Sequence, residues 1–291
     1  MTGMQKLAIC AMAIALVALG TWLHEGRTVP STTTKRMPTL KDVSPDQWQL
    51  LATRKIYFGH QSVGADIIQG LQELLAGNSH IQLNVVRADN PASVAGPALV
   101  ESLVGQNGDT KSKAAAFRRV VDNGMGAQGG IAMYKYCFVD FQPGTDPQKM
   151  FDEYRATIEA VRAKYPRLTI VHITAPLTTV EPVWKLATKA LLGRPSARDV
   201  EIKRNIFNDL LRKQYSGKDP IFDLAEIEST RPDGSRTFFS KNGLPVYTLA
   251  PDYTYDGGHL NARGRRVAAE QWLIMAGTLD KPSSTAKQSS P

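Results

Sequence analysis

Two short stretches near opposite ends of the chain carry residue types suited to nucleophilic catalysis. In the first, Gly-His-Gln-Ser-Val-Gly (59–64), Ser62 follows a predicted strand and opens a predicted helix. Free backbone N–H groups and the helix dipole at such a position favour negative charge on a nearby oxygen. Serine is also a preferred N-cap residue. This position alone therefore allows a structural as well as a catalytic interpretation.

The second stretch, Asp-Gly-Gly-His (256–259), lies just before the last predicted helix. A carboxylate three residues before a histidine can accept its Nδ1–H, fix the tautomer and stabilise the imidazolium. The alternative is a turn in which Asp256 caps the backbone and His259 is merely interfacial. Together with Ser62, these residues predict a Ser-Asp-His triad. The Asp-x-x-His spacing also occurs in metal sites, but no second pair matches it, so we predict no metal and no cofactor.

The two stretches resemble the SGNH (GDSL-like) hydrolase family. The family's nucleophile directly follows its first strand, and its last block is Asp-x-x-His before a helix with Asn and Gly, here Asn261 and Gly264. Gln61 stands where the usual Gly-Asp-Ser has Asp. The resemblance implies a three-layer α/β/α sandwich around a mostly parallel, five-stranded, flavodoxin-like sheet. It also implies activity on esters, often acetyl groups on carbohydrates or lipid esters.

The family's middle blocks supply its oxyanion hole, which stabilises the negative oxygen formed during acyl transfer. The resemblance implies that the backbone N–H groups of Ser62 and Gly105 are donors. The family's Gly-x-Asn-Asp is missing after the third predicted strand, where the chain reads Lys-Tyr-Cys-Phe-Val-Asp (135–140). We predict that Asn107 replaces the missing amide donor, although Asn-Gly at 107–108 is also typical of an ordinary turn.

Four further residues are candidates for the wall of the pocket: His60, Lys135, Asp140 and Tyr255. His60 is close to Ser62 in the sequence, and Tyr255 precedes Asp256. Lys135 lies in an apolar run, so its ammonium group must reach solvent, an acid such as Asp140, or the active site.

Hydrophobic periodicity predicts the elements that position these residues. Strands are predicted at 55–59, 81–88, 131–141, 168–174 and 221–227, and residues 89–108 are predicted to be irregular. Helices are predicted from residue 44 and at 63–76, 111–121, 146–165, 197–215 and 261–276. Alternating strands and helices predict a parallel sheet covered on both faces, with ligands beyond the carboxyl ends of its strands.

Composition excludes several classes of protein. With 42% hydrophobic and 21% charged residues among 291, the chain is typical of a globular protein. The two cysteines, Cys10 and Cys137, are too few for a disulfide framework. The net charge of +8 is moderate, and no stripe of basic and aromatic residues indicates a nucleic-acid partner.

The N-terminal segment predicts export. After Lys6, residues 7–23 form an uncharged and mostly apolar run, with small residues suited to cleavage after Gly20. Residues 1–24 are thus a signal peptide or a membrane anchor, and membrane association would run through 7–23. Residues 25–43 are predicted to be a linker, 44–280 the hydrolase-like domain and 281–291 a disordered tail. The domain is therefore expected in the periplasm, secreted, or anchored outside the cytoplasm.

These observations predict an exported serine ester hydrolase that works through an acyl-enzyme. Its substrate would be a small ester or an acylated glycan or lipid of the cell envelope. Two alternatives stay open: an SGNH-like O-acyltransferase that passes the acyl group to a sugar hydroxyl, and a non-catalytic envelope protein that keeps the fold and binds glycan. The missing Gly-x-Asn-Asp favours the non-catalytic alternative, whereas an intact triad favours catalysis.

Overall fold

The computed structural model describes residues 36–181 and 196–279. The predicted apolar run at 7–23, most of the predicted linker and the predicted tail at 281–291 lie outside the described residues. Within the described part of the chain, no helix is both long and apolar enough to cross a membrane.

Five parallel strands form the central sheet in the order β2-β3-β1-β4-β5. They are β1 Lys55–His60, β2 Val85–Arg87, β3 Ala98–Leu103, β4 Gly130–Tyr134 and β5 Leu168–Ile170. One residue after β5, β6 (His172–Ile173) pairs in parallel with β7 (Ile221–Phe222). Helices lie on both sides of the sheet, which confirms the predicted α/β class with a five-stranded parallel sheet.

Among the described residues, seven α-helices of six or more residues accompany the strands: α1 Pro45–Ala52, α2 Ser62–Gly77, α3 Thr110–Val120, α4 Pro147–Lys164, α5 Ala197–Tyr215, α6 Leu224–Ser229 and α7 Ala262–Thr278. Side chains of a strand alternate between its faces. On β1, Ile56 and Phe58 join a hydrophobic cluster with residues of α1, α2 and α7. Tyr57 points the other way, into a cluster with residues of α3, α4 and α5. The sheet thus separates two cores, and β1 lies between them.

Strand β3 lies within the stretch 89–108 that was predicted to be irregular, and that prediction is wrong. The polar residues Glu101 and Ser102 interrupt its apolar run and hide the strand. Both are buried because β1 supplies their partners. His60 Nε2 lies 3.0 Å from Glu101 Oε2, and the Tyr57 hydroxyl lies 3.0 Å from Ser102 Oγ. As a result, the loop that carries Gly105 begins next to the end of β1.

Three predicted strands are shorter than expected. The one predicted at 81–88 covers only Val85–Arg87. The one predicted at 131–141 ends at Tyr134, and a short 3-10 helix covers Phe138–Asp140. The one predicted at 221–227 ends at Phe222, because the Asp223 side chain accepts the N–H of Glu226 and caps α6. An unpredicted hairpin joins β8 (Phe238–Lys241) to β9 (Leu244–Tyr247).

The described end of the predicted linker packs against the domain. Leu40–Asp42 forms a short 3-10 helix, and the N–H of Leu40 donates to Glu270 Oε1 on α7 at 3.1 Å. Val43 is buried among the residues of the core that includes α7. Residues 36–43 are therefore in contact with the last helix.

Candidate active site

Ser62 is the first residue of α2 and follows β1 after the single residue Gln61. This turn is tight at Gly64, where a Cβ atom would lie 2.2 Å from the Cβ of His60. Only glycine therefore allows the first turn of α2 to lie so close to the end of β1. The N–H of Ser62 has no acceptor within the described part of the chain. The helix start thus presents a hydroxyl and a free backbone donor together.

His259 connects Ser62 with Asp256. Its Nε2 lies 3.0 Å from Ser62 Oγ, and its Nδ1 lies 2.6 Å from Asp256 Oδ2. Both distances are within the reach required for proton transfer. The side chains of His259 and Asp256 are 27% and 42% exposed, so the group is accessible from solvent. The structure thus brings together the three residues whose types and spacing predict a triad.

Asp256 holds both the backbone and the ring of the histidine segment. Its Oδ1 accepts the N–H groups of Gly258 and His259 at 2.9 and 2.8 Å, while Oδ2 accepts the ring N–H. Partial burial acts to raise the pKa of Asp256, but these hydrogen bonds outweigh it and lower the pKa to about 2. The carboxylate is therefore ionised at neutral pH and keeps the His259 proton on Nδ1. The sequence analysis posed two alternatives for Asp256, a cap of the backbone turn and a contact with the His259 ring, and the structure contains both.

The side chain of Gln61, the residue before the nucleophile, binds the loop after β3. Gln61 Nε2 donates to the carbonyl oxygens of Val104 and Gly105, both at 2.9 Å. Gly105 has a φ of +55°, and a Cβ there would lie 2.4 Å from the backbone nitrogen of Lys113. Glycine is therefore required at this position. The N–H of Gly105 has no acceptor among the described residues, so it is available as an oxyanion donor.

Asn107 is exposed on the same loop, and its Oδ1 accepts a hydrogen bond from Lys113 Nζ at 3.1 Å. The carbonyl end of the amide is therefore fixed, and the Nδ2 end points away from Lys113. Within residues 36–181 and 196–279, no acceptor binds Nδ2. The predicted third donor thus has its N–H groups free and its orientation fixed.

Asp140 has no exposed side-chain surface and does not line an open pocket. Its carboxylate pairs with Lys113 Nζ at 2.6 Å, not with Lys135, and also accepts the N–H groups of Gly108 and Cys137, both at 2.7 Å. Asp140 therefore joins the loop after β3 to the loop after β4. Lys135 is also fully buried, and its Nζ lies 3.4 Å from Tyr136 O and 3.6 Å from Cys137 Sγ.

The other two pocket candidates occupy different environments. His60 is buried, and its ring nitrogens contact Gln61 O at 2.9 Å and Glu101 Oε2 at 3.0 Å. Tyr255 is 71% exposed, and its ring is nearly parallel to the His259 ring, with the centroids 6.0 Å apart. Phe138 meets the His259 ring edge-on at 5.2 Å. Tyr255 is therefore beside the accessible site, whereas His60 supports it from within.

Sequence reasoning missed three supporting residues: the Gln61 donor, Lys113 and Asp66. Lys113 was detectable, because it falls on the buried face of α3 with Phe117 and Val120 at helical spacing. Asp66 lies one helical turn after Ser62 and accepts the N–H of Leu260 at 3.0 Å. Its position, four residues from the nucleophile, was the available signal.

For metal binding, the described residues contain no group of three or more His, Cys, Asp or Glu side chains that could hold an ion.

No family model and no curated protein sequence matches the chain. Among solved structures, it is similar to a GDSL-like lipase from Bacteroides thetaiotaomicron, with 13% identity, 78% of this chain and 90% of that chain covered, and a TM-score of 0.48. It is also similar to a protein from Parabacteroides merdae described as a GDSL-like lipase, with 14% identity, 76% and 94% coverage, and a TM-score of 0.45. A third is the periplasmic domain of a lipopolysaccharide acetyltransferase from Salmonella ser. Paratyphi A, with 12% identity, 74% and 80% coverage, and a TM-score of 0.41.

These matches are distant, and two of the three are described as GDSL-like lipases. The strand order and the contacts of this chain define the class independently. It is a three-layer α/β protein with a serine, a histidine and an aspartate in one hydrogen-bonded series at the carboxyl end of β1.

Proposed function

We propose that the chain is a serine-dependent acyl-handling enzyme that hydrolyses esters through an acyl-enzyme on Ser62. The observation that carries this proposal is the continuous series from Ser62 Oγ through the His259 ring to the Asp256 carboxylate, at 3.0 and 2.6 Å. A capping serine needs no histidine at its oxygen. A histidine at a simple turn needs no contact with a helix 197 residues away in the sequence.

In the first half of the reaction, Ser62 Oγ attacks the ester carbonyl carbon while His259 Nε2 takes the hydroxyl proton. Asp256 keeps the other ring nitrogen protonated and stabilises the imidazolium that forms. The N–H groups of Ser62 and Gly105 and the Nδ2 of Asn107 stabilise the carbonyl oxygen as it becomes negative. His259 then gives its proton to the departing alcohol, which leaves Ser62 acylated.

In the second half, His259 removes a proton from water, which attacks the acyl carbonyl and releases the acid. An alcohol in place of water would complete an acyl transfer by the same steps. The partial exposure of His259 and Asp256 leaves room for either acceptor. We propose water as the acceptor, and an acylated glycan or lipid of the cell envelope as the source of the acyl group. That source follows from the proposed export of the domain.

A fluorophosphonate probe tests the nucleophile directly. The purified full-length chain is incubated with the probe and its intact mass is measured, while release of p-nitrophenol from p-nitrophenyl acetate reports turnover. We expect one adduct and turnover in the wild type, and neither in Ser62→Ala. Ser79→Ala is the matched control, because Ser79 is exposed just beyond the other end of α2. It should behave like the wild type.

The same assay separates the alternative functions. A labelled but slowly hydrolysing protein that acylates an added sugar alcohol would be an acyltransferase. A folded wild-type protein with no adduct and no turnover would contradict the proposal and favour a non-catalytic glycan-binding protein. Turnover in Ser62→Ala equal to that of the wild type would contradict the assignment of the nucleophile.

A further inference from the structure

Asp66 links the helix of the nucleophile to the segment of the base. It lies on α2 one turn after Ser62, and its Oδ2 accepts the backbone N–H of Leu260 at 3.0 Å. Leu260 directly follows His259, so this bond fixes the main chain beside the histidine. Together with the contact between His259 Nε2 and Ser62 Oγ at 3.0 Å, it ties the histidine segment to the helix that carries the nucleophile.

The charges around Asp66 point to a second effect on the same histidine. Burial raises the pKa of Asp66, while the Leu260 N–H and the positive charges of His259, Lys135 and Arg265 act against that rise. The carboxylate on α2 thus lies close enough to the imidazole for their charges to interact, whereas Asp256 accepts a hydrogen bond from the same ring within the histidine segment. Tyr255 is a further titratable group near Asp66, whose charge acts to raise the pKa of the tyrosine. An imidazolium at His259 would therefore be flanked by two carboxylates.

We propose that Asp66 is a positioning residue for His259: its hydrogen bond to Leu260 holds the imidazole against Ser62, and its charge favours the protonated ring that forms during acyl transfer. This inference rests on the proposed function. It assigns to α2 two roles in the site, since the helix supplies the nucleophile at Ser62 and the support of the base one turn later.

Two substitutions separate the bond from the charge. Asp66→Asn keeps an oxygen that can accept the Leu260 N–H but removes the charge, whereas Asp66→Ala removes both. We expect Asp66→Ala to lower kcat by ~10- to 100-fold, because small displacements of reacting groups lower the rate by factors of that order. Asp66→Asn should lose less. In both variants, the acidic limb of the pH profile of kcat/KM should move to lower pH, since a negative charge that favours the imidazolium is gone.

Glu73→Ala is the matched control. Glu73 lies on the same helix and also contacts the C-terminal part of the fold, with Arg265 Nη2 3.0 Å from Glu73 Oε1. It should leave kcat and the acidic limb unchanged. A purely structural role for Asp66 would lower the melting temperature without moving that limb. Wild-type kcat in Asp66→Ala, or an unmoved limb in Asp66→Asn, would overturn the proposal.

A readout that does not need turnover keeps this test separate from the proposed function. The imidazole of His259 is titrated by NMR in the full-length chain and assigned by its loss in His259→Gln. The pH midpoint should fall in Asp66→Asn relative to both the wild type and Glu73→Ala. If the wild type is not labelled by the fluorophosphonate probe, the proposed function fails. If it is labelled but the midpoint does not move in Asp66→Asn, the proposal for Asp66 alone fails.

Discussion

The side-chain amide of Gln61 donates hydrogen bonds to two carbonyl groups of the loop that carries Gly105, so substitution of Gln61 should disturb that loop. In Gln61→Glu a carboxylate would face the carbonyl oxygens of Val104 and Gly105, which now accept hydrogen bonds at 2.9 Å. We expect kcat for p-nitrophenyl acetate to fall by ~100-fold in Gln61→Glu, because displacement of a catalytic group commonly lowers the rate by a factor of that order. Gln61→Ala should lose less, because it removes the donor without adding repulsion. Equal rates in the two variants would contradict this role of the amide.

The resemblance to the SGNH family implies an amide donor after the third predicted strand, where this chain has none. Substitutions of Asn107 test whether this residue supplies the donor instead. Asn107→Ala should lower kcat by ~10²–10³, the usual cost of one oxyanion donor. Asn107→Asp keeps an oxygen for Lys113, and therefore the anchoring of the loop, but has no N–H to donate. It should be the slower of the two, with a melting temperature close to that of the wild type. A wild-type kcat in Asn107→Asp would mean that backbone N–H groups alone form the hole.

The three residues of the series could be predicted because their signals are local in the sequence. Asp256 and His259 are three residues apart, and Ser62 follows the end of a recognisable strand. The contacts that hold the site are not local. His60 meets Glu101, Lys113 meets Asp140, and Asp66 meets Leu260 across 41, 27 and 194 residues. No spacing rule links such pairs, since only the completed fold brings them together.

At the scale of elements, the ion pair between Lys113 and Asp140 joins α3 to the loop after β4. Both side chains have no exposed surface. Removal of one partner leaves an uncompensated buried charge, which typically costs ~3–5 kcal/mol. We therefore expect Lys113→Met to lower the free energy of unfolding by that order, as measured by urea denaturation. It should also release Asn107 and lower kcat.

Lys111→Met is the control for that prediction. Lys111 lies on the same helix, but its side chain is 79% exposed and lies 4.0 Å from Glu153. A pair on the surface contributes ~0–1 kcal/mol. Equal losses of stability in Lys111→Met and Lys113→Met would contradict this prediction, because they would show that burial of the Lys113 ammonium group does not determine the loss.

Helices were easier to predict than strands in this chain, for a physical reason. Helix α2 shows its buried face as apolar residues at regular spacing, including Ile67, Leu71 and Leu74. Strand β3 buries Glu101 and Ser102 instead, so its polarity alone is typical of a loop. The partners that make this burial acceptable lie on β1. A strand of this kind becomes recognisable only when its neighbour in the sheet is known.

For the whole molecule, two buried glutamates make stability depend on pH. Burial raises the pKa of Glu228 to about 8, against the opposing effect of the Leu177 N–H, which its Oε2 accepts at 2.6 Å. Burial likewise raises the pKa of Glu201 to about 7, although Arg204 pairs with it. In the described part of the chain, one oxygen of each carboxyl group has no hydrogen-bond partner. Ionisation of either group is therefore unfavourable in the folded state.

Both pKa values lie above the ordinary value of 4.5, so the folded state binds more protons than the unfolded state at intermediate pH. The free energy of unfolding should then fall as pH rises from about 4.5 to about 8. Glu228→Gln removes one of these groups. Its melting temperature should exceed that of the wild type at pH 8.5 by several degrees, at ~2–4 °C per kcal/mol, and the difference should shrink at pH 5.

Glu226→Gln is the control, because Glu226 lies exposed on the same helix, α6. Its melting temperature should differ little from that of the wild type at both pH values. The same difference between Glu228→Gln and the wild type at pH 5 and pH 8.5 would contradict the assigned ionisation.

The contact between Ser62 and His259 also sets the order in which the site can be assembled during synthesis. It spans 197 residues, and α2 packs closely on α7 at Gly70, where a Cβ would lie 2.5 Å from Arg265 O. Synthesis runs from the N-terminus, so the nucleophile leaves the ribosome long before residue 259 of 291. Under the proposed mechanism, a nascent or C-terminally truncated chain has a serine without its base. Such a chain cannot attack esters, so activity is delayed until the segment with His259 and the helix α7 that follows it have been made and have docked.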